Sequence, residues 1–242
     1  MKHFASLFML LFVSTALLAQ DAAITPSPRE IADAYVEATG GKDAWLAVKS
    51  TKMEGAATMQ GMEFPLTVTA AEGNKMRIDM DIQGSPMTQS YNGTTGYILF
   101  PMQGITEPKE MSAEEAADLA DTPFLTEFIN TEARGYTLTA VEGKEVEGTP
   151  TYGVQVTNAD GYDRTYYFDT ETMVPLMTMQ ASKSPQAQGM VMEGYMSDYQ
   201  EVDGLMVPMY IENKANGQTI MKMTFTNVSI NPELEEDFFT LK

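Results

Sequence analysis

Residues 75–82 set the terms for the whole chain. Met76, Ile78, Met80 and Ile82 alternate with Lys75, Arg77, Asp79 and Asp81. A strand with one apolar and one wetted face satisfies that period of two, and a helix would scatter the same residues around its cylinder. The period recurs along most of the chain. Met53, Gly55, Ala57 and Met59 share a face, as do Phe64, Leu66, Val68 and Ala70. Met87, Gln89 and Tyr91 lead into an Asn92-Gly93 turn, and residues 97–101 return. Further strands are expected over residues 136–147, 152–158, 164–169, 173–181, 190–202, 205–214 and 218–230. Asp203-Gly204 and Asn216-Gly217 are strong hairpin signals. Short turns between neighbours make an antiparallel meander, and about eleven strands are too many for a flat sheet, so it should curl. The expected class is mainly β (α+β), in one domain over residues 26–242.

Two stretches break the pattern. Before the strands, Ser27 is a good N-cap, Pro28 suits the first helical position, and Glu30 completes a capping box. Ile31, Ala34, Tyr35 and Ala38 form one apolar stripe, and Gly40-Gly41 stops the helix. A shorter helix is expected over residues 43–48, with Trp45 and Val48 inward. In mid-chain, residues 107–133 lose the β period. Ser112 with Glu115 forms a second capping box and opens an Ala-rich helix to Ala120, and Thr122-Pro123 opens another that Gly135 ends.

The first residues read as an address. Lys2 and His3 precede an apolar run from Phe4 to Leu18, and polarity returns at Gln20. That is the layout of a signal peptide over residues 1–19, cut after Ala19, with a flexible lead over 20–25. An uncleaved anchor is the alternative, although the run is short for a bilayer. The expected location is therefore the periplasm.

The single histidine, His3, lies in that segment, and the chain has no cysteine. An exported chain so composed has no Ser-His-Asp or Cys-His nucleophile, no zinc site built on His or Cys, and none of the usual haem, iron–sulfur or copper ligands. No cofactor is expected. The net charge of −19 leaves no basic footprint for nucleic acid. Carboxylate chemistry stays open, since 34 acidic residues are present, but they fall mainly at turns and on polar strand faces. Asn158, Asp160 and Asp163 suggest a calcium loop only superficially, because the glycine comes at the fourth place (Gly161) rather than the sixth. A turn is the simpler reading.

Methionine is the unusual component. The chain has 20, eighteen of them beyond the signal segment, against ten leucines there. Met173, Met177 and Met179 share one face, and Met190, Met192 and Met196 another. Met221, Met223 and Phe225 alternate with Lys222 and Thr224, beside a strand carrying Leu205, Val207, Met209 and Ile211. Methionine fills gaps but specifies packing poorly, so a core built for stability alone would favour Leu, Ile and Val. A surface that accepts variable apolar ligands suits Met better. Strand parity does not reveal which face is concave.

The layout resembles the LolA/LolB-type periplasmic lipoprotein carriers and, more broadly, outer-membrane lipoprotein-sorting proteins. The phrases that carry the resemblance are the helix ending in Gly40-Gly41, Tyr91-Asn92-Gly93 before a strand, Tyr167-Phe168-Asp169 before a turn, and Ser197-Asp198-Tyr199 followed by Val202-Asp203-Gly204-Leu205 and Pro208. It implies an open half-barrel, lid helices over residues 112–133 with Phe124, Leu125 and Phe128 facing the cavity, and acyl chains held on the concave face. The expected lipid-binding residues are then Met76, Ile78, Met80, Phe124, Leu125, Phe128, Met177, Met179, Leu205, Val207, Met209, Met221, Met223 and Phe225. Acyl lipid or lipoprotein cargo, an inner-membrane donor, an outer-membrane acceptor and a monomeric state follow from the same resemblance. The family's arginine on an early strand is missing, because no Arg lies between Arg29 and Arg77. Two other readings stand beside the carrier: a non-catalytic envelope scaffold or sensor with a filled core, and a carboxylate-based hydrolase.

Overall fold

A computed structural model describes residues 25–242; the expected signal peptide lies outside the described residues. Helix α1 (Pro28–Ala38) starts where the capping box predicts, with Ser27 N donating to Glu30 Oε2 at 2.8 Å and Glu30 N to Ser27 Oγ at 3.3 Å. Its buried face is Ile31, Ala32, Tyr35 and Val36. That stripe is rotated from the expected one, and Ala38 is exposed. The short α2 (Lys42–Leu46) follows. Val48 is buried, while Trp45 is half-buried and donates its indole N–H to Thr39 Oγ1 at 3.0 Å.

The strands come in two runs. The first is β1 (Ser50–Met59), β2 (Met62–Ala71), β3 (Lys75–Ile82), β4 (Ser85–Tyr91), β5 (Gly96–Phe100) and β6 (Ile105–Glu110). The second is β7 (Thr137–Val141), β8 (Glu145–Val146), β9 (Thr149–Thr157), β10 (Asp163–Asp169), β11 (Pro175–Ala181), β12 (Val191–Val202), β13 (Leu205–Ala215) and β14 (Gln218–Ile230). They form one open antiparallel sheet in the order β6-β5-β4-β3-β2-β1-β14-β13-β12-β11-β10-β9-β7, with β8 paired to β9. The last strand therefore closes against the first, and each meander runs outward to a free edge. Asp203-Gly204 (φ 51° and 83°) and Asn216-Gly217 (φ 49° and 77°) make the hairpins with two left-handed residues, the backbone whose twist suits paired strands.

The sheet is curved into a half-barrel. β3 and β10 lie seven places apart in the strand order, about 34 Å if the sheet were flat at about 4.8 Å per strand. Yet Asn74, in the turn after β2, and Asn158, in the turn after β9, line one cleft with Ala120 and Arg134. The sheet therefore bends toward the face on which the mid-chain insertion lies. That face is the concave one.

Gly55 marks a close approach of two strands inside the sheet. A Cβ there would sit 2.0 Å from Thr224 O, at a break in the β1–β14 register. The convex side of β3 and β4 is capped by the C-terminal segment, where Arg77 Nη1 donates to Phe238 O at 2.9 Å and Ser90 Oγ to Phe239 O at 2.7 Å.

Three expectations are modified. β6 falls where no strand was expected, and β7 and β8 divide one expected strand. The insertion contains a single helical turn, α3 (Ala117–Ala120). The Ser112–Glu115 capping box does form, with bonds of 2.8 and 3.2 Å, but residues 121–135 run through turns. Glu127, Phe128 and Ile129 are all buried. Three consecutive residues cannot share one helix face, so tertiary burial overrides the helical pattern there.

Candidate functional site

Cross-strand pairs share a face in an antiparallel sheet, so the register traces one continuous concave surface. It runs from Val154 and Val156 on β9 through Tyr166 and Arg164 on β10 to Thr178 and Gln180 on β11. It continues through Gly194 and Met192 on β12, then Asn213 and Ile211 on β13. Met221 and Met223 on β14, Ala57 on β1, Phe64 and Leu66 on β2, and Met80 on β3 complete it.

This surface is divided into two halves. In the first, α1 and the insertion pack onto β9 and β10. Ile31, Tyr35, Val36, Phe128, Val154 and Phe168 are the centre of a buried cluster. Phe128 meets Tyr35, Tyr166 and Phe168 at ring-centroid distances of 5.5, 4.8 and 5.2 Å, each near edge-on. That half is filled by the protein's own aromatic rings.

In the second half every member comes from a strand. Ala57, Leu66, Met80, Met209 and Phe225 are buried, and Met53, Met59, Ile78, Met87, Met221 and Met223 are among the half-buried side chains packed around them. No side chain of α1 or of the insertion belongs to this cluster among the described residues. The result is a methionine-rich trough along β13, β14, β1, β2 and β3.

The insertion crosses from one arm of the half-barrel to the other. Near β5, Ala116 is buried beside Gly96, where a Cβ would meet Ala116 Cβ at 2.6 Å. At the other arm, Ser182 Oγ and Lys183 N donate to the Asp118 carboxylate at 2.7 and 2.9 Å, and Lys183 pairs with Asp121. The strongest anchor is Arg164 of β10. Its guanidinium lies 3.0 Å from the Glu127 carboxylate, with both side chains under 10% exposed (8% and 7%). It also donates to Asp121 O at 3.2 Å and to the Gln180 side-chain carbonyl. Tyr166 donates its hydroxyl to Glu127 at 2.5 Å. Burial, with the Glu127 charge beside it, pushes the Tyr166 hydroxyl well above its ordinary pKa. Burial works against the Arg164 charge, but Tyr166 and Glu127 outweigh it and hold that guanidinium above its ordinary value. An arginine tether to the insertion is therefore present, on a late strand.

The expected ligand residues fall in five places. Ile78, Met80, Val207, Met209, Met221, Met223 and Phe225 meet in the trough, with Met76 on the same face one pair further along β3. Phe128 is in the filled aromatic half. Phe124 and Leu125 line a cleft of about 430 Å³ on the insertion's other side, with Leu46 and Arg134. Leu205 is buried against Gly40 at the end of α1. Met177 and Met179 are on the convex face, opposite Tyr195 and Glu193, where Lys144 Nζ sits 3.3 Å from Met179 Sδ and 4.3 Å from the Tyr167 ring centre. Met53, Met59, Val68, Ile82, Met87 and Ile211 join the trough without having been singled out. Their parity was visible in the sequence, but the register that aligns one strand with the next was not.

No protein-family model matches the sequence, and no curated protein matches it. Solved structures do. A domain named for outer membrane lipoprotein sorting, from Vibrio parahaemolyticus, superposes with a TM-score of 0.57 at 12% identity, over 88% of this chain and 95% of that one. A LolA superfamily protein from Nitrosomonas europaea gives 0.57 at 10% identity, over 89% and 98%. A DUF1329 family protein from Desulfovibrio piger gives 0.56 at 13% identity, over 89% and 98%. At such identities the likeness is one of fold, and the chain has a LolA/LolB-like fold.

Proposed function

We propose that this chain is a non-catalytic carrier of the periplasm that holds the acyl chains of a lipid or lipoprotein in the methionine-rich trough. The observation that carries the reading is the contrast between the two halves of one concave face. One half is plugged by α1 and aromatic rings; the other is lined by Met, Ile and Val that no helix covers among the described residues. Flexible thioether side chains can part around an acyl chain and close again without it. Burying one methylene contributes about 0.8 kcal/mol, so a sixteen-carbon chain gains roughly 10 kcal/mol before ordering costs. The fold shared with a domain named for outer membrane lipoprotein sorting and with a LolA superfamily protein supports the same reading. The buried floor of the trough, Met80, Met209 and Phe225, is the observation that favours the other account, a scaffold with a finished core.

The experiment is to purify the exported protein from its native envelope, extract it with organic solvent and analyse the extract by mass spectrometry. A stoichiometric acyl lipid or lipopeptide is expected. In parallel, a fluorescent fatty acid should bind wild type and fail to bind Met223→Glu, whose new charge would lie in the trough. An empty protein with no affinity for the dye refutes the carrier reading in favour of the scaffold.

A further inference from the structure

The chain has 34 acidic and 15 basic Lys and Arg residues, so an arginine without a carboxylate partner stands out. Arg29 pairs with Asp33, Arg77 with Asp79 and Arg164 with Glu127. Arg134, the fourth, makes no ion pair among the described residues. It is nonetheless held firmly: Nη1 donates to Thr126 O at 3.1 Å, Nη2 donates to the Tyr136 hydroxyl at 2.9 Å, and the guanidinium lies 4.4 Å from the Tyr136 ring centre. A guanidinium has five N–H donors, so three have no partner among the described residues, on a group whose plane is already set.

Its surroundings are two-sided. Arg134 lines the cleft with Leu46, Phe124, Leu125 and Ile129, and Leu46 is one of the few large apolar residues left exposed, at 37%. It also lines the neighbouring cleft with Tyr91, whose cross-strand partner is Met76 on the concave face. Two carboxylates face these clefts. Glu72 is paired with Lys49 at 2.7 Å, and Asp160 is in the turn after β9. Neither is within ion-pair distance of Arg134.

We infer that Arg134 is the headgroup site for an anionic amphiphile, its acid group on the free guanidinium edge and the first part of its chain against Leu46, Phe124 and Leu125. The inference rests on the carrier reading and narrows its cargo to single-chain or headgroup-bearing acids. A planar, preorganised fork with unused donors suits a carboxylate or a phosphate, which it can meet with two parallel bonds. Stacking on Tyr136 and the two neutral acceptors orient the fork without consuming its charge. The apolar wall alone would hold any acyl chain; the guanidinium makes the site select for a charged end.

Three sixteen-carbon probes test this on the full exported chain, below their critical micelle concentrations: palmitate, hexadecyl phosphate and hexadecanol. Binding is measured by isothermal titration calorimetry, with the emission of Trp45, the chain's only tryptophan and the chain neighbour of Leu46, as a second signal. Wild type should bind at least one of the two anions about tenfold or more tightly than the alcohol, the size of a charge-assisted hydrogen bond; the tighter anion names the headgroup. Arg134→Gln should lose that preference while keeping its affinity for hexadecanol, and Arg134→Lys should keep only part of it. Equal affinity of wild type for all three probes overturns the headgroup site and leaves the carrier reading standing. Failure of all three to bind overturns the carrier reading as well. The wild-type comparison decides even if the variants fold poorly.

Discussion

Glu127→Ala is the most informative single change in the insertion. Glu127 and Arg164 are 3.0 Å apart and almost fully buried. Removing the carboxylate strands the Arg164 charge and leaves the Tyr166 hydroxyl without its acceptor. Breaking a buried pair from one side costs about 3–5 kcal/mol. At about 2–4 °C per kcal/mol for a domain of this size, that lowers Tm by roughly 6–20 °C. The loss has a ceiling, however. If residues 118–136 can detach more cheaply than the domain unfolds, water reaches Arg164 and the global cost shrinks. Urea denaturation and hydrogen exchange together separate the cases: either global stability falls by the full amount, or it falls less and the amides of the insertion lose protection selectively. Replacing both partners by Met should restore stability to within a few kcal/mol of wild type, because no charge is then left buried. A Glu127→Ala protein that loses less than about 1 kcal/mol with unchanged exchange in the insertion would refute the account of Arg164 as its anchor.

Phe168→Ala opens a hole in the filled half and should cost about 3–5 kcal/mol by urea denaturation, since Phe168 is fully buried. Gly55→Ala places a Cβ against Thr224 O and should cost at least about 1–3 kcal/mol, with loss of exchange protection along β1 and β14; a neutral result would mean the two strands separate more freely than their register implies. The hydrogen bonds from Ser27 hold the Glu30 carboxyl below its ordinary pKa. A carboxyl lowered in the folded state stabilises fully above its unfolded value, and that contribution is lost as pH falls through the folded one. The stability gap between wild type and Ser27→Ala should therefore narrow in melts taken from pH 7 down to about pH 3, and a constant gap would remove Glu30 from the cap's energetics.

Much of this fold can be read from period and punctuation. The alternation in residues 75–82 and the capping box at Ser27 are local signals, and each forms where the pattern puts it. The hairpins at Asp203-Gly204 and Asn216-Gly217 are equally local. What the residues do not carry is the relation between distant segments. Met177 and Met223 both sit in alternating, Met-rich strands, yet the register sends one to the convex face and the other into the trough. The insertion shows the same limit from another side. A helical pattern at Phe124, Leu125 and Phe128 gives way because Glu127 has a partner on β10, 37 residues along the chain, and no spacing rule anticipates that bond.

The boundary between the two halves explains how one face can be rigid and yielding at once. On β11 the positions paired with concave Arg164 and Tyr166 are Gln180 and Thr178, and next to Thr178 on β12 is Gly194. Apolar contact is therefore interrupted between the rings around Phe168 and the methionines around Met223. Gln180 is held by Arg164, so the divider belongs to the anchored side. A trough that must repack around a guest would transmit strain through any close-packed neighbour; a polar, small-residue seam limits that transmission. The consequence is measurable. Phe168→Ala and Met223→Glu should be additive in stability to within about 0.5 kcal/mol, as for sites without shared partners. Met209→Ala with Met223→Ala, both within the trough, should depart from additivity by more than that. Strong coupling between Phe168 and Met223 would mean that the two halves form one continuous core, which is the arrangement a scaffold would have and a carrier would not.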